Sequence, residues 1–175
     1  MMGATPTSSA ALLMQRYFHE YSVDHAAFAD HPIAASAHAV GNPNALYRKA
    51  LTRESYVKAE PVCDPLTLHD IASYADGAAA LVLTRRDLVA NEFQHALVRI
   101  GGSAVVTDRL SLHDRPDPLA FESAGAAIKS ACRQAGILPG DVDILEMDDA
   151  FTIYPVLSVE AAGFTLKGHG TTWLK

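Results

Sequence analysis

Two neighbouring carboxylates, Asp148 and Asp149, stand in a turn between a short apolar segment and a helical pattern. Turns at the carboxyl ends of strands hold ligand sites in many layered α/β proteins. Aspartates in such turns also cap the helix that follows, with no further role. The residues alone leave both possibilities open, and they make this turn the first candidate site.

The other residues with reactive side chains form no motif. Cys63 and Cys132 are far apart in sequence, so neither a zinc motif nor a redox motif is indicated. Cys132 falls in a helical pattern and is expected to be buried, and Cys63 is interpreted as a loop cysteine rather than a reactive thiol. The eight histidines never recur at i+3 or i+4, and we find no phosphate-binding loop and no Gly-x-Ser-x-Gly elbow. We therefore expect no metal site and no covalently bound cofactor.

Composition narrows the class of protein further. The chain has 175 residues, 49% of them apolar, which allows a sizeable core, and its net charge is −6 with both signs interspersed. A nucleic-acid partner is not expected, because phosphate binding requires clustered lysines and arginines. No apolar run approaches the roughly 20 residues that span a bilayer, and no signal peptide is recognisable. We expect a cytoplasmic protein without membrane contact.

Helices and strands alternate along the chain, which predicts an α/β layered fold. An amphipathic helix is predicted over 7–21 from apolar residues at helical spacing, and further helices over 85–92, 118–135 and 153–162. The continuous apolar run at 77–84 predicts a strand covered on both faces. Residues 96–106 predict a second strand region, in which Gly101-Gly102 marks a bulge or bend, and 143–147 predicts a third short strand. The same pattern predicts two sheets that meet between residues 84 and 96.

The order of these segments resembles the thiolase superfamily, in particular sterol-carrier-type thiolases and the prokaryotic acetyl-CoA acetyltransferases. No single match is specific, but the segments occur in the family's order. They are Met14 to Tyr21, Ala37 to Ala45 around His38-Ala39-Val40-Gly41-Asn42-Pro43, Ser73 to Ala80, Pro118 to Asp143, Glu146 to Phe151 at the family's Asn-Glu-Ala-Phe signature, and Leu157 to Phe164.

The resemblance implies a truncated thiolase-like fold. Residues 1–90 would form the end of the family's N-terminal half with a loop excursion, and residues 91–175 the start of its C-terminal half. It also implies that the substrate is a CoA thioester and that free CoA is a second substrate or a product. The implied partner is either another copy of the chain, in a homo-oligomer, or a second thiolase-like or accessory chain. The family's reaction is acyl transfer through a cysteine thioester.

The resemblance also contains departures. The family's nucleophilic cysteine precedes the segment that matches residue 7, and its Gly-His-Pro histidine follows the segment that matches Phe164. Neither Cys63 nor Cys132 stands in the nucleophile's position, and Gly168-His169-Gly170 lacks the proline. Two hypotheses follow. In the first, the chain is part of an enzyme, either an acyl-CoA acyltransferase or a CoA-ester aldolase. In the second, it is a non-catalytic thiolase-like scaffold.

The resemblance implies three candidate site residues: Asp148 as catalytic, and His38 and Phe151 as substrate-binding. Asp148 occupies a position that holds Asn or His in the family, either of which can donate a hydrogen bond, whereas an ionised Asp only accepts. Three interpretations stay open: a carboxyl protonated by burial, a base in altered carbon–carbon chemistry, or a cap for the helix starting near Ile153, with Asp149 as the alternative cap.

Overall fold

The fold is seen in a computed structural model that describes residues 5–89 and 95–175. Helices dominate these ranges, and two short antiparallel strands pair Pro61 with Thr67 and Cys63 with Leu66. The helices and strands are α1 (Pro6–Tyr21), α2 (Asp30–Val40), α3 (Arg53–Val57), β1 (Pro61–Cys63), β2 (Leu66–Thr67), α4 (Glu122–Ala135), α5 (Ile153–Ala162) and α6 (Gly170–Trp173). Single 3₁₀ turns cover His25–Phe28, Leu68–Asp70, Arg86–Leu88, Leu112–Asp114 and Pro139–Asp141.

The predicted first helix is confirmed as α1, with a sharp start. The Thr5 hydroxyl accepts a hydrogen bond from the Ser8 backbone N–H (3.1 Å), and the Ser8 hydroxyl accepts one from the Thr5 N–H (2.9 Å). This reciprocal cap satisfies two backbone donors that the first turn leaves without partners, and Pro6 suits the first helical position. The helix therefore begins one residue before the predicted 7–21 stretch.

Helix α5 lies at the centre of the core. It is apolar on several faces, and Ile153, Leu157 and Val159 are completely buried. Helix α1 packs across it, and the Tyr17 hydroxyl donates a hydrogen bond of 2.5 Å to the Glu160 carboxylate. This contact satisfies two polar groups inside an apolar interface, where an unpaired group would be destabilising.

Helix α4 packs closely against α5 through a glycine. A Cβ atom added at Gly125 would lie 2.4 Å from the backbone oxygen of Ala161. The helix begins at Glu122 and not near Pro118 as predicted, because Phe121 adopts a left-handed backbone conformation (φ 44°) that breaks the helical path. It ends as predicted, at Gly136 with φ 73°.

The predicted strands at 77–84, 96–106 and 143–147 are not paired within the described part of the chain, where β1 and β2 form the sheet. The backbone runs without helix, turn or bend over 72–85, 96–109 and 144–149, so the segments are extended. The expectation that 77–84 is covered on both faces is wrong here, because Leu81 and Val82 are exposed. An extended apolar sequence forms a strand only where a neighbouring backbone accepts its hydrogen bonds.

Three predictions involve residues outside the described ranges. The proposed join of two sheets between 84 and 96, the helix over 85–92 and the domain boundary at 90/91 all include part of 90–94. Within the described residues the predicted helix is represented by the single turn Arg86–Leu88. No helix in the described ranges is both long and apolar enough to cross a membrane.

Candidate functional site

The turn that carries the two aspartates is held by backbone hydrogen bonds from the segment after β2. Ile71 forms an antiparallel bridge with Phe151, and the Ala72 N–H donates to the Ala150 carbonyl at 3.0 Å. On the other side of the bridge the Thr152 N–H donates to the Asp70 carbonyl, also at 3.0 Å. The turn is thus fixed between the end of an extended segment and the first residue of α5.

Beneath this turn lies a buried carboxylate with an unusually complete set of partners. Asp70 is 1% exposed and accepts hydrogen bonds from Tyr56 Oη (2.5 Å), from Thr152 Oγ1 (2.9 Å) and from both the N–H and the hydroxyl of Thr67 (2.8 Å each). His25 Nε2 lies 2.6 Å from its second oxygen, and the His25 ring stacks on Tyr56. Burial by itself would raise the pKa of Asp70, but these hydrogen bonds outweigh it and hold the pKa below its usual value.

Asp148 does not cap α5. The N-cap of that helix is Thr152, and no side chain accepts a hydrogen bond from the helix's first turn. The Asp148 carboxylate instead accepts from the Ala150 N–H at 2.9 Å, a local turn that closes before the helix begins. Asp148 is exposed, so the burial that a protonated donor would require is not present.

Asp148 lines a cavity of about 440 Å³. This volume is within the range of small-molecule sites. The cavity lies between α1, α4, the start of α5 and the stretch that precedes α4, so its walls come from distant parts of the sequence. It is lined by Ser9, Leu13, Asp108, Leu110, Leu112, Arg115, Phe121, Ser123, Ala124, Asp148, Tyr154 and Ser158.

Arg115 supplies the one cation among these lining residues. Its Nε atom is buried, and the nearest carboxylate oxygen, Asp108 Oδ2, is 3.5 Å away, longer than an ordinary hydrogen bond. The guanidinium carbon lies 6.0 Å from the centre of the Phe121 ring, within cation–π range. Phe121 thus presents an aromatic ring beside the cation at the cavity wall.

Tyr154 completes the polar group around the cavity. Its ring packs at 5.8 Å from Phe121, and burial together with the nearby Asp148 carboxylate raises the pKa of its hydroxyl, against the opposing effect of Arg115. The hydroxyl therefore stays protonated at neutral pH and can donate a hydrogen bond. A carboxylate acceptor, a phenol donor and a guanidinium donor thus share one space.

Asp149 points elsewhere. Its carboxylate lies 3.6 Å from His31 Nε2 on α2, and that imidazole lowers the pKa of the Asp149 carboxyl although partial burial opposes the shift. The contact joins the turn to α2 rather than to the cavity. Asp149, like Asp148, does not cap α5.

The other sequence-derived candidates are not brought to the cavity. His38 is exposed in the last turn of α2 and does not line it. Phe151 is 7% exposed and belongs to the core, where its ring meets Tyr154 edge-on at 5.3 Å. Cys132 is buried in α4 as expected and Cys63 is half-buried in β1, and neither thiol lines the cavity.

Arg115 and Tyr154 are the residues that the sequence did not single out. Arg115 lies in an irregular stretch between two predicted elements, where no periodicity indicates which way a side chain points. Tyr154 fits an ordinary helix, and only the nearness of Asp148 to the start of that helix could have drawn attention to it. Within residues 5–89 and 95–175, no group of three or more His, Cys, Asp or Glu side chains is arranged to hold a metal ion.

Known proteins of similar sequence and structure identify the family. Residues 104–175 match the family described as thiolase C-terminal domain-like. The acetyl-CoA acetyltransferase of Methanothermobacter thermautotrophicus is 33% identical over 168 residues, which cover 96% of this chain and 44% of the relative. The chain belongs to the thiolase superfamily. The relatives of this chain therefore include the acetyl-CoA acetyltransferases, the branch that its sequence resembles.

Other thiolase-superfamily proteins are similar over nearly the whole chain. The benzoylsuccinyl-CoA thiolase subunit BbsB of Thauera aromatica is 32% identical over 178 residues, covering 99% of this chain and 45% of that protein. In the solved Ltp2-ChsH2(DUF35) aldolase, a chain with 25% identity matches 97% of this chain with a TM-score of 0.90, over 46% of its own length. The α/β thiolase-like fold is therefore confirmed, and the chain spans less than half the length of these relatives.

Proposed function

We propose that this chain forms one wall of the CoA-thioester site of a thiolase-superfamily enzyme, an acyltransferase of the acetyl-CoA acetyltransferase type. The observation that carries the proposal is the placement of Asp148. It stands where the family's Asn-Glu-Ala-Phe signature begins, and it lines a cavity and does not cap its own helix. The identity with acetyl-CoA acetyltransferases supports the reaction class.

The charges of the cavity favour the acyl end of the substrate over its phosphates. One arginine and two aspartates line the space, a formal charge of −1 at neutral pH. Because the phosphates of CoA are anionic, this cavity would repel them, whereas an uncharged thioester and acyl chain would not be repelled. The guanidinium of Arg115 and the hydroxyl of Tyr154 are among the lining groups that could donate hydrogen bonds to a thioester oxygen, as are the hydroxyls of three serines.

A second candidate is cleavage of a β-hydroxyacyl-CoA by a retro-aldol reaction. It is favoured by the cavity's combination of a carboxylate and a phenol without either thiol. Asp148 would take the proton of the β-hydroxyl as the Cα–Cβ bond breaks, leaving a carbonyl product and a thioester enolate. Tyr154 or Arg115 would donate a hydrogen bond to the enolate oxygen, and a proton then returns to Cα. The likeness to an aldolase chain supports this alternative.

The partner in either reaction is expected to be a further thiolase-like or accessory polypeptide. Two of the similar proteins support this expectation, because one is described as a subunit and the other as part of an Ltp2-ChsH2 assembly. A scaffold without catalysis is the third possibility, and activity assays on a reconstituted assembly distinguish it. Acyl-CoA remains the proposed small-molecule partner.

The test is to co-express the chain with the segments of the Methanothermobacter acetyl-CoA acetyltransferase that it does not match, and to assay the purified assembly. Acetoacetyl-CoA thiolysis and cleavage of a β-hydroxyacyl-CoA are measured with Asp148→Asn and with Asp143→Asn, an exposed aspartate that does not line the cavity, as control. An acyltransferase keeps or gains activity in the Asp148→Asn variant, because asparagine is the family's usual residue at this position.

The aldolase alternative predicts the opposite for the same variant. Loss of its general base lowers cleavage by about 100-fold or more, while the Asp143 control is unchanged. An assembly that forms but supports neither reaction identifies the chain as a scaffold and refutes the catalytic proposal.

A further inference from the structure

The buried carboxylate of Asp70 joins two parts of the chain that are far apart in sequence. Its Oδ2 atom accepts hydrogen bonds from the N–H and the hydroxyl of Thr67, which lies three residues away. Its Oδ1 atom accepts a hydrogen bond of 2.9 Å from the hydroxyl of Thr152, which lies 82 residues away. The carboxylate therefore bridges the segment that contains β2 and the first residue of α5.

Thr152 uses its hydroxyl in an unusual way for the N-cap of a helix. A threonine at this position ordinarily accepts a hydrogen bond from an N–H group of the helix's first turn. Thr152 makes no such bond, and its hydroxyl donates to Asp70 instead. The residue is only 3% exposed, so this bond is shielded from water. A local preference that is given up for a distant contact is typical of residues that serve a functional site.

Backbone hydrogen bonds extend this anchor to the turn that carries Asp148. The Thr152 N–H donates to the Asp70 carbonyl at 3.0 Å. The Ala72 N–H donates to the Ala150 carbonyl, also at 3.0 Å, and the Ala150 N–H donates to the Asp148 carboxylate at 2.9 Å. Because Asp148 is exposed, its own side-chain packing does not fix it. Its position depends on the backbone from Ala150 to Thr152 and on the contacts that hold that backbone.

We propose that Asp70 is a positioning residue, which acts through the hydroxyl of Thr152 to hold Asp148 at the cavity. Asp70 is not among the lining residues, so it would act without touching a substrate. Its carboxylate is itself held by the Tyr56 hydroxyl and by His25 Nε2, and a supporting residue that is locked in this way can orient another precisely.

This inference rests on the proposed function, because a fixed position matters only for a group that meets a substrate. It does not depend on which of the two reactions takes place. The position of Asp148 can be followed without turnover, so the two proposals can fail separately.

Tyr154 reports on the Asp148 carboxylate. Both residues line the cavity, and burial together with that carboxylate raises the pKa of the Tyr154 hydroxyl. The same negative charge should shift the ¹³C NMR signal of the Tyr154 Cζ atom in the full chain at neutral pH, because a nearby charge polarises the ring. The change in this signal on Asp148→Asn therefore measures whether the carboxylate is held beside the ring.

Two matched variants separate positioning from stability. Thr152→Val and Thr67→Val each remove one buried hydroxyl that donates to the Asp70 carboxylate, at 2.9 and 2.8 Å, so they should lower the Tm by similar amounts. In the Thr152→Val background the signal change caused by Asp148→Asn should be reduced at least about two-fold, whereas in the Thr67→Val background it should stay within about 20% of the wild-type change. Comparing Asp148 with Asn inside each background cancels the direct effect of the valine on the ring.

Thr152→Ser provides a rescue, because serine keeps the hydroxyl that donates to Asp70. In this background the signal change should return to within about 20% of the wild-type value. An undiminished change with Thr152→Val, or an equal reduction with Thr67→Val, would overturn the proposal. So would a Tyr154 signal that does not respond to Asp148→Asn in the otherwise wild-type chain. An assembly without turnover, combined with the expected Tyr154 signals, would refute the proposed function alone.

Discussion

Replacement of Asp70 by Asn should destabilise the fold, because Asp70 accepts the hydrogen bonds that fix the segments around the candidate site. The carboxylate accepts hydrogen bonds from Tyr56, Thr67 and Thr152 and contacts His25, all in a buried environment. The asparagine side chain keeps one acceptor oxygen, but its NH₂ group replaces the other oxygen and faces groups that donate hydrogen bonds to the carboxylate. Those donors lose their acceptor. Disrupting a buried charge network of this kind lowers the free energy of unfolding by about 3–5 kcal/mol.

This loss is a large share of the roughly 5–15 kcal/mol by which domains are stable. For a chain of this length it corresponds to a decrease in Tm of roughly 6–20 °C. The assay is urea and thermal unfolding followed by circular dichroism. The control is Asp76→Asn, because that aspartate is exposed and its substitution should change the stability by less than about 0.5 kcal/mol.

The same network makes a prediction about pH. Because the pKa of Asp70 is lower in the folded chain than in the unfolded one, its contribution is fully present above about pH 4, the unfolded value. It is lost as the pH falls through the lowered folded value, so the stabilities of wild type and Asp70→Asn should converge in acid. A variant as stable as the Asp76 control at pH 7, or a gap that widens in acid, would refute the reasoning.

Three more outcomes follow from the structure. Gly125→Ala should lower the free energy of unfolding by about 1–3 kcal/mol, because its Cβ would meet the Ala161 backbone oxygen, whereas Gly140→Ala, with open space around it, should not. Arg115→Gln should weaken binding of acetyl-CoA to the assembly about ten-fold or more by isothermal titration calorimetry, as expected for loss of a charged donor; unchanged affinity would remove Arg115 from the site. The purified chain by itself should show no thiolysis or condensation with acetyl-CoA or acetoacetyl-CoA in a CoA-release assay, since neither Cys63 nor Cys132 lines the cavity; turnover that survives substitution of both cysteines would contradict this.

The helices were predictable from the sequence because their signals are local. The end of α5 at Gly163 follows from a residue that readily adopts a positive φ, and the spacing of apolar residues predicted the extent of α1. The start of α4 was not predictable, because the left-handed conformation of Phe121 depends on the ring's surroundings and not on its own preference. Helix propensity describes how a residue behaves on average, whereas the residue at which α4 begins depends on tertiary contacts.

The strands and the site depended on long-range contacts. A run such as 77–84 indicates strand character, but pairing requires a partner backbone that no local pattern reveals. The candidate residues Asp148, His38 and Phe151 all came from matches to the family. Asp148 lines the cavity, whereas His38 and Phe151 are not among its lining residues. Arg115 and Asp148 line the same cavity although one precedes α4 and the other precedes α5, two helices that pack together through Gly125.

The hydrogen bond between Tyr17 and Glu160 has a consequence for synthesis on the ribosome. Its two residues are separated by 143 positions, which take about 7–30 s to translate at roughly 5–20 residues per second. During that time α1 has emerged without the helix it packs against, and an isolated helix of 16 residues is marginal in water. The core therefore closes only after α5 leaves the ribosome, and until then the apolar face of α1 lacks the helix that covers it in the folded chain.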